Sequence, residues 1–193
     1  MPRVKEFDPD KALDQAMQVF WRHGYEGTTV SHLMAATGLL KGSLYGAFGS
    51  KEKLFLKALS KYGEDFRKKG FQKQDPLDYL QQFFQRLVDE GGHTKGERGC
   101  LIMNSCVEFG RQDHIRAKLS GRLFQEVEKN LQSAVVAAIA AKQMPEDTDV
   151  DALVCRLVGG AFALREMGKF KRDRAYLSHI ANGVLDEIGL KII

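Results

Sequence analysis

Long apolar runs are missing from this chain: the longest, Ala134 to Ala141, is far too short to span a bilayer. The opening stretch, MPRVKEFDPD, mixes charges and offers no apolar h-region, so no secretory signal is expected and the cytoplasm is the expected compartment. Proline occurs only 4 times in 193 residues and alternating polarity is scarce, which argues against strands and for helices. The three cysteines, Cys100, Cys106 and Cys155, are odd in number and contain no CxxC pair, so no disulfide framework is expected. His23, His32, His93, His114 and His179 show no metal-ligand spacing among themselves or with the cysteines. No metal and no cofactor are therefore expected. Neither a nucleophile–base pair nor a phosphate loop marks an enzyme, and no repeat or low-complexity segment interrupts the chain.

Positive charge is unevenly placed. The net charge of +4 is modest, but residues 1–70 carry 12 Lys/Arg against 8 Asp/Glu, while residues 71–193 carry 17 of each. The excess lies wholly in the first third, where a basic face would meet phosphates.

That first third contains Thr28 to Leu54, TTVSHLMAATGLLKGSLYGAFGSKEKL. Thr28 and Thr29 offer hydroxyl oxygens to cap a helix beginning near Val30, and Val30, Leu33 and Met34 share one face of it. Gly38 supplies the left-handed stop. A second short helix, roughly Leu40 to Phe48, buries Leu44 and Phe48 and presents Lys41, Ser43 and Tyr45 elsewhere. Gly49 breaks it, and Ser50 caps the next helix, where Glu52 complements the dipole. Helix, glycine turn, helix is the arrangement that sets a second helix into a DNA major groove. A preceding helix, about Pro9 to His23, is capped by Asp8. It offers Ala12, Leu13, Ala16, Met17, Val19 and Phe20, extended by Trp21, as its apolar stripe.

The segment GLLKGSLYGAFGSKEKLF resembles the signature of the TetR family of transcriptional regulators, and ALDQAMQVFWRHGYEGTTVSHLMAATG resembles that family's first two helices. The resemblance covers about the first 60 residues. It implies an all-α chain: a three-helix DNA-binding domain with a helix-turn-helix (1–49), then a helical effector-binding and dimerisation domain (50–193) joined by a connecting helix at about 50–69. Leu40 stands where the family commonly has Ser or Thr, and Gly46 and Ala47 where it often has polar or aromatic residues. These departures remove possible phosphate or base contacts.

Further helices are expected from Asp75-Pro76, from Cys100, from Asp113 to about Lys142, from about Asp149 to Gly168 and from about Arg174 to Leu190. The glycine-rich Gly91 to Gly99 reads as a loop. In the long helix Ile115, Leu119, Leu123, Val127, Leu131, Val135 and Ile139 recur every four residues.

Candidate DNA contacts are Thr28, Thr29, Lys41, Gly42, Ser43, Tyr45 and Lys51. Lysine donates to phosphates or guanine edges, a Ser hydroxyl meets either, a Tyr hydroxyl reaches a phosphate, and Gly42 admits close backbone approach. Cys100 and Cys106 are the candidate effector or redox-sensing pair. Arg98 and the amides of a helix N-terminus would stabilise a thiolate at Cys100, while packing is the alternative for both. An intrahelical Cys100–Cys106 disulfide is excluded by about 9 Å of axial rise. Cys155 reads as core packing. Glu108 and Glu166 read equally as cavity lining or as surface charge. The small-residue face of Ala152, Gly159, Gly160 and Ala163 suits a four-helix dimer interface with the last helix. The expected partners are thus double-stranded operator DNA, an unidentified small-molecule or electrophile effector and a second copy of the chain. No membrane partner is expected. The expected activity is a repressor released by that effector. A helical interaction module that has lost specific DNA binding is the alternative.

Overall fold

The computed structural model describes residues 7–72, 74–93, 97–112 and 114–192. Among these there are nine α-helices and no strand. The helices are α1 (Pro9–His23), α2 (Val30–Thr37), α3 (Lys41–Phe48), α4 (Lys51–Lys68), α5 (Pro76–Gly91), α6 (Leu101–Phe109), α7 (Ile115–Ala140), α8 (Val150–Phe170) and α9 (Arg174–Leu185). None of the described helices is long and apolar enough to cross a membrane.

Local chemistry sets the ends of the first four helices. Asp8 Oδ1 accepts from the backbone N–H groups of Asp10 and Lys11, and Pro9 fills the first helical position of α1. Ser50 Oγ accepts from Lys53 N–H at 3.1 Å, and Glu52 lies in the first turn of α4. Helices α1 to α3 form a small head that packs on α4 through Phe20, Leu33, Leu44, Leu54 and Phe55, all essentially buried. Burying side chains of this size contributes about 1.5–3 kcal/mol each, which two eight-residue helices alone could not supply. An aromatic cluster then ties head to body: Phe55 meets Phe20 at 5.1 Å, Tyr25 at 5.2 Å and Phe109 of α6 at 5.6 Å between ring centroids.

In the body, α5 packs against α7, α8 and α9, while α6 lies on α7 and α4. The four-residue row along α7 is buried at Leu123, Val127, Leu131 and Val135 but surfaces at Ile115, which is 55% exposed. Two expected ends move. Helix α8 continues past Gly168 to Phe170, because Gly168 serves a close crossing: a Cβ there would stand 3.1 Å from the Cα of Gly91. Gly91 itself belongs to α5 rather than to the loop that follows it. Helix α9 stops at Leu185, gives one 3₁₀ turn (Asp186–Ile188) and ends at Gly189 with φ of 69°. The expected cap Asp113 lies outside the described residues; His114 is the cap residue of α7, its Nδ1 accepting from Ala117 N–H at 3.1 Å. Cys155, expected in the core, is exposed on α8.

Candidate nucleic-acid interface and effector cavity

The head presents a capped helix-turn-helix. Thr29 Oγ1 accepts from His32 N–H at 3.1 Å, and His32 Nδ1 accepts from Thr29 N–H at 3.4 Å, a reciprocal capping box that fixes the start of α2. Thr28 departs from expectation. It caps nothing: its hydroxyl donates to the Gly24 carbonyl at 2.5 Å, and the residue is 1% exposed. Burial turns it away from any ligand and makes it a brace for the turn between α1 and α2. Gly38 closes α2 in the left-handed conformation, with φ of 67°.

Helix α3 divides cleanly. Leu44 and Phe48 are buried, whereas Lys41, Gly42, Ser43, Gly46 and Ala47 are exposed. A Cβ at Gly42 or Gly46 would meet nothing within 4 Å, so this face is bare backbone open to an approaching surface. Tyr45 is half-buried against the core, and Leu40, the cap position, is 73% exposed and offers no side-chain hydrogen bond to the first turn. Lys51 is half-buried, its Nζ 4.4 Å above the Tyr25 ring.

Tyr25 is the hinge of contacts between head and body. The Arg116 guanidinium of α7 lies 4.3 Å from its ring and binds Glu52 at the start of α4 at 2.8 Å. Burial raises the Tyr25 phenol above its ordinary pKa, while Arg116 works in the opposite direction. Glu108, near the end of α6, accepts the backbone N–H groups of Tyr25 and Glu26. The carboxylate left open as cavity lining or surface charge is neither. Glu166 likewise ties down Lys169, whose ammonium also donates to Asn104 Oδ1 at 2.8 Å. Sequence spacing gave no sign of the partners of Glu108 and Arg116, because these lie 83 and 64 positions away.

The cysteines fall differently from expectation. Cys100 caps α6 by position, but its side chain makes no bond to the helix amides. Its sulfur receives the Tyr62 hydroxyl at 3.7 Å instead. Arg98 does not serve the thiol: its guanidinium lies 4.8 Å over Trp21 and donates to Gln18, while its carbonyl accepts from Trp21 Nε1 at 3.0 Å. Cys106 is half-buried, and burial pushes its thiol pKa up despite a hydrogen bond with Ser120.

Between head and body lies a cavity of about 230 Å³, walled by α1, α4, α5 and α8. Trp21, Phe66 and Phe83 give it aromatic walls, and Tyr62, Arg86 and Arg165 add polar groups. Arg165 is paired with Glu90 at 2.7 Å. Burial opposes the Arg165 charge, but Tyr62, Cys100 and Glu90 together outweigh it and raise its pKa.

A helix-turn-helix head on a helical body, with a cavity at their junction, is the architecture of a DNA-binding regulator. The comparisons agree. The chain belongs to the TetR family: the model for bacterial regulatory proteins of that family matches residues 12–58, and the tetracyclin repressor-like C-terminal domain matches residues 76–184. It is 30% identical to the HTH-type transcriptional repressor ComR of Escherichia coli, over 85% of this chain and 82% of that protein. It is 26% identical to the repressor DhaR of a Mycobacterium species, over 91% and 89%. Among solved structures, a cysteine mutant of the TetR family regulator CifR, complexed with a 26-bp double-strand operator, superposes with a TM-score of 0.81 at 29% identity over 95% of this chain and 98% of that one. The chain is thus a helix-turn-helix transcriptional regulator, with an N-terminal DNA-binding domain and a C-terminal helical domain.

Proposed function

We propose that this protein is a homodimeric repressor that acts in the cytoplasm, is bound to a roughly palindromic operator in its ground state and is released by a small-molecule effector. The observation that carries the reading is the exposed, side-chain-poor face of α3, held rigidly by a capped α2 and a buried Leu44 and Phe48. Two copies of α3 enter successive major grooves about one helical turn apart. Lys41, Ser43 and Tyr45 make the contacts on α3, Gly42 lets the backbone approach, and Thr29 and Lys51 flank the groove. Relatives named as repressors, and a similar regulator complexed with operator DNA, support this reading. The DNA-binding part is residues 1–49, and α4 opens the effector and dimerisation part.

Dimerisation runs through α8 and α9. Cys155, Gly159 and Phe162 lie at helical spacing on the exposed side of α8, and Ala175, His179 and Gly183 do so on α9. Small residues let two such pairs close into a four-helix contact. The covalent form of release, at Cys100 and Cys106, is favoured by one observation: Tyr62 both lines the cavity and bonds the Cys100 sulfur.

Binding of purified protein to DNA flanking its own gene, at two salt concentrations with nonspecific DNA as control, tests the reading. Specific, salt-sensitive binding is expected. Binding no tighter than the control on a tiled panel of that flanking DNA would favour a helical interaction module whose α3 is silent.

A further inference from the structure

We infer that the cavity between head and body is built for a small amphipathic carboxylate, an aryl or short alkyl body carrying one anionic head, and that this ligand is the effector; the second clause rests on the repressor reading above.

Five charged side chains line the cavity: Asp65, Lys69, Arg86, Glu90 and Arg165. Glu90 is taken by Arg165 at 2.7 Å, and Asp65 is bonded by Lys68 at 3.4 Å. Arg86 and Lys69 make no side-chain hydrogen bond or ion pair with any described residue, so positive charge is left over in the lining. Of the remaining walls, Met17, Trp21, Phe66, Phe83 and Leu87 are apolar and mostly aromatic, and the Tyr62 hydroxyl is taken by the Cys100 sulfur. A cation would face this excess positive charge without compensation. A neutral molecule would desolvate Arg86 and give nothing in return. A carboxylate answers the guanidinium with two acceptors, in the fork geometry that arginine suits best. At about 230 Å³ the space is below the roughly 300 Å³ of a drug-sized pocket, which limits the body to a single ring or an equivalent chain.

Position explains why such a ligand would be sensed. Met17 and Trp21 come from α1 of the head, Tyr62 and Phe66 from the connecting α4, Phe83 and Leu87 from α5 and Arg165 from α8. A ligand filling the space fixes the separation of α1 from α5 and α8. It therefore favours one head–body arrangement over another, which is the differential affinity that release requires.

Trp21 is the only tryptophan of the chain and forms part of the wall, so its emission reports occupancy. The probes are 4-phenylbutyrate, 4-phenylbutanol and 4-phenylbutylamine, which share one body and differ in the head. Saturable quenching by the carboxylate is expected, with the alcohol and the amine at least tenfold weaker. Arg86→Gln, which strands no acidic partner among the described residues, should weaken the carboxylate about tenfold and leave the alcohol unchanged. Equal binding of the three heads, no binding of any, or an Arg86→Gln protein that binds the carboxylate as before would overturn the ligand class. A second arm adds saturating 4-phenylbutyrate to the operator complex. Release supports the effector role, and binding without release overturns that role while leaving the ligand site standing. Because quenching is read on protein without DNA, a failure to find an operator cannot be mistaken for a failure of the site.

Discussion

Glu108, on α6 of the body, accepts the backbone N–H of Tyr25 at 3.0 Å and that of Glu26 at 2.8 Å in the turn between α1 and α2 of the head. One carboxylate thus holds the turn that leads into the helix-turn-helix. Space is matched to this grip: Gly24 has φ of +68°, and a Cβ there would stand 3.0 Å from Glu108 Oε2. Hydrogen bonds to a charged acceptor contribute about 1.5–3 kcal/mol, so Glu108→Ala is expected to loosen the head by that order. Amide hydrogen exchange at Tyr25 and Glu26 should accelerate at least tenfold, while amides of α8 keep their protection. Unchanged exchange at those two positions would mean that the turn is held by the aromatic cluster alone.

Lysine contacts to DNA are read most directly from salt dependence. Lys41 is exposed at the start of α3, and Lys51 is half-buried over Tyr25. Lys41→Ala should weaken operator binding across all sequences and reduce the slope of log K against log salt by about 1. Adding Lys51→Ala should reduce it by about 1 more. A single-mutant slope equal to that of the parent would place Lys41 in solvent in the complex.

The head was legible because its rules are local. Asp8, Pro9, Gly24, Thr29, Gly38 and Ser50 act within a few residues of themselves, and the start and end of α1 follow from Asp8, Pro9 and Gly24 alone. The site was less legible because its key pairs are distant in sequence. Thr28 and Thr29 look alike as cap candidates, yet packing buries one and leaves the other at the surface. Arg98 beside Cys100 suggested an activated thiol, and tertiary structure gave the guanidinium to Trp21 instead. Gly168 read as a helix stop, while its actual role, contact with Gly91, needs the other helix to be in view. Glu108 and Arg86 carry no signal in their own neighbourhoods, since only the fold brings them to a turn and to a cavity.

Glycines in the helices of the body separate into packing and non-packing positions. At Gly168 an added Cβ would press on the Gly91 backbone, whereas at Gly121 of α7 it would meet nothing within 4 Å. Gly168→Ala is therefore expected to destabilise by about 1–3 kcal/mol through a forced shift of α5 against α8. Gly121→Ala is expected to stabilise by about 0.5–1 kcal/mol through helix propensity. Denaturant midpoints at constant slope give both signs in one experiment. A neutral Gly168→Ala would show that the crossing has slack.

Thiol reactivity tests the dimer interface and the buried pair together. Cys155 is exposed on a single chain, Cys106 is half-buried and Cys100 is 7% exposed. If α8 forms the dimer contact, Cys155 is shielded in the assembly, and Gly159→Arg on the same face should both yield monomers by sedimentation and open Cys155 to alkylation. A monomeric Gly159→Arg protein whose Cys155 reacts no faster than in the parent would place the interface elsewhere. Cys106 should respond differently to pH. Burial raises its thiol pKa, so the neutral form is favoured by folding. This stabilisation is fully present below the ordinary thiol pKa and is lost as pH rises through the raised value. The alkylation rate of Cys106 should therefore climb at higher pH than that of free cysteine in the same solution. Cys100→Ser should abolish any operator release caused by thiol-reactive compounds and leave operator binding itself intact, because Cys100 stands at the cap of α6 in the body and touches Tyr62 rather than α3. A Cys100→Ser protein that still lets go of DNA on alkylation would remove Cys100 from the mechanism.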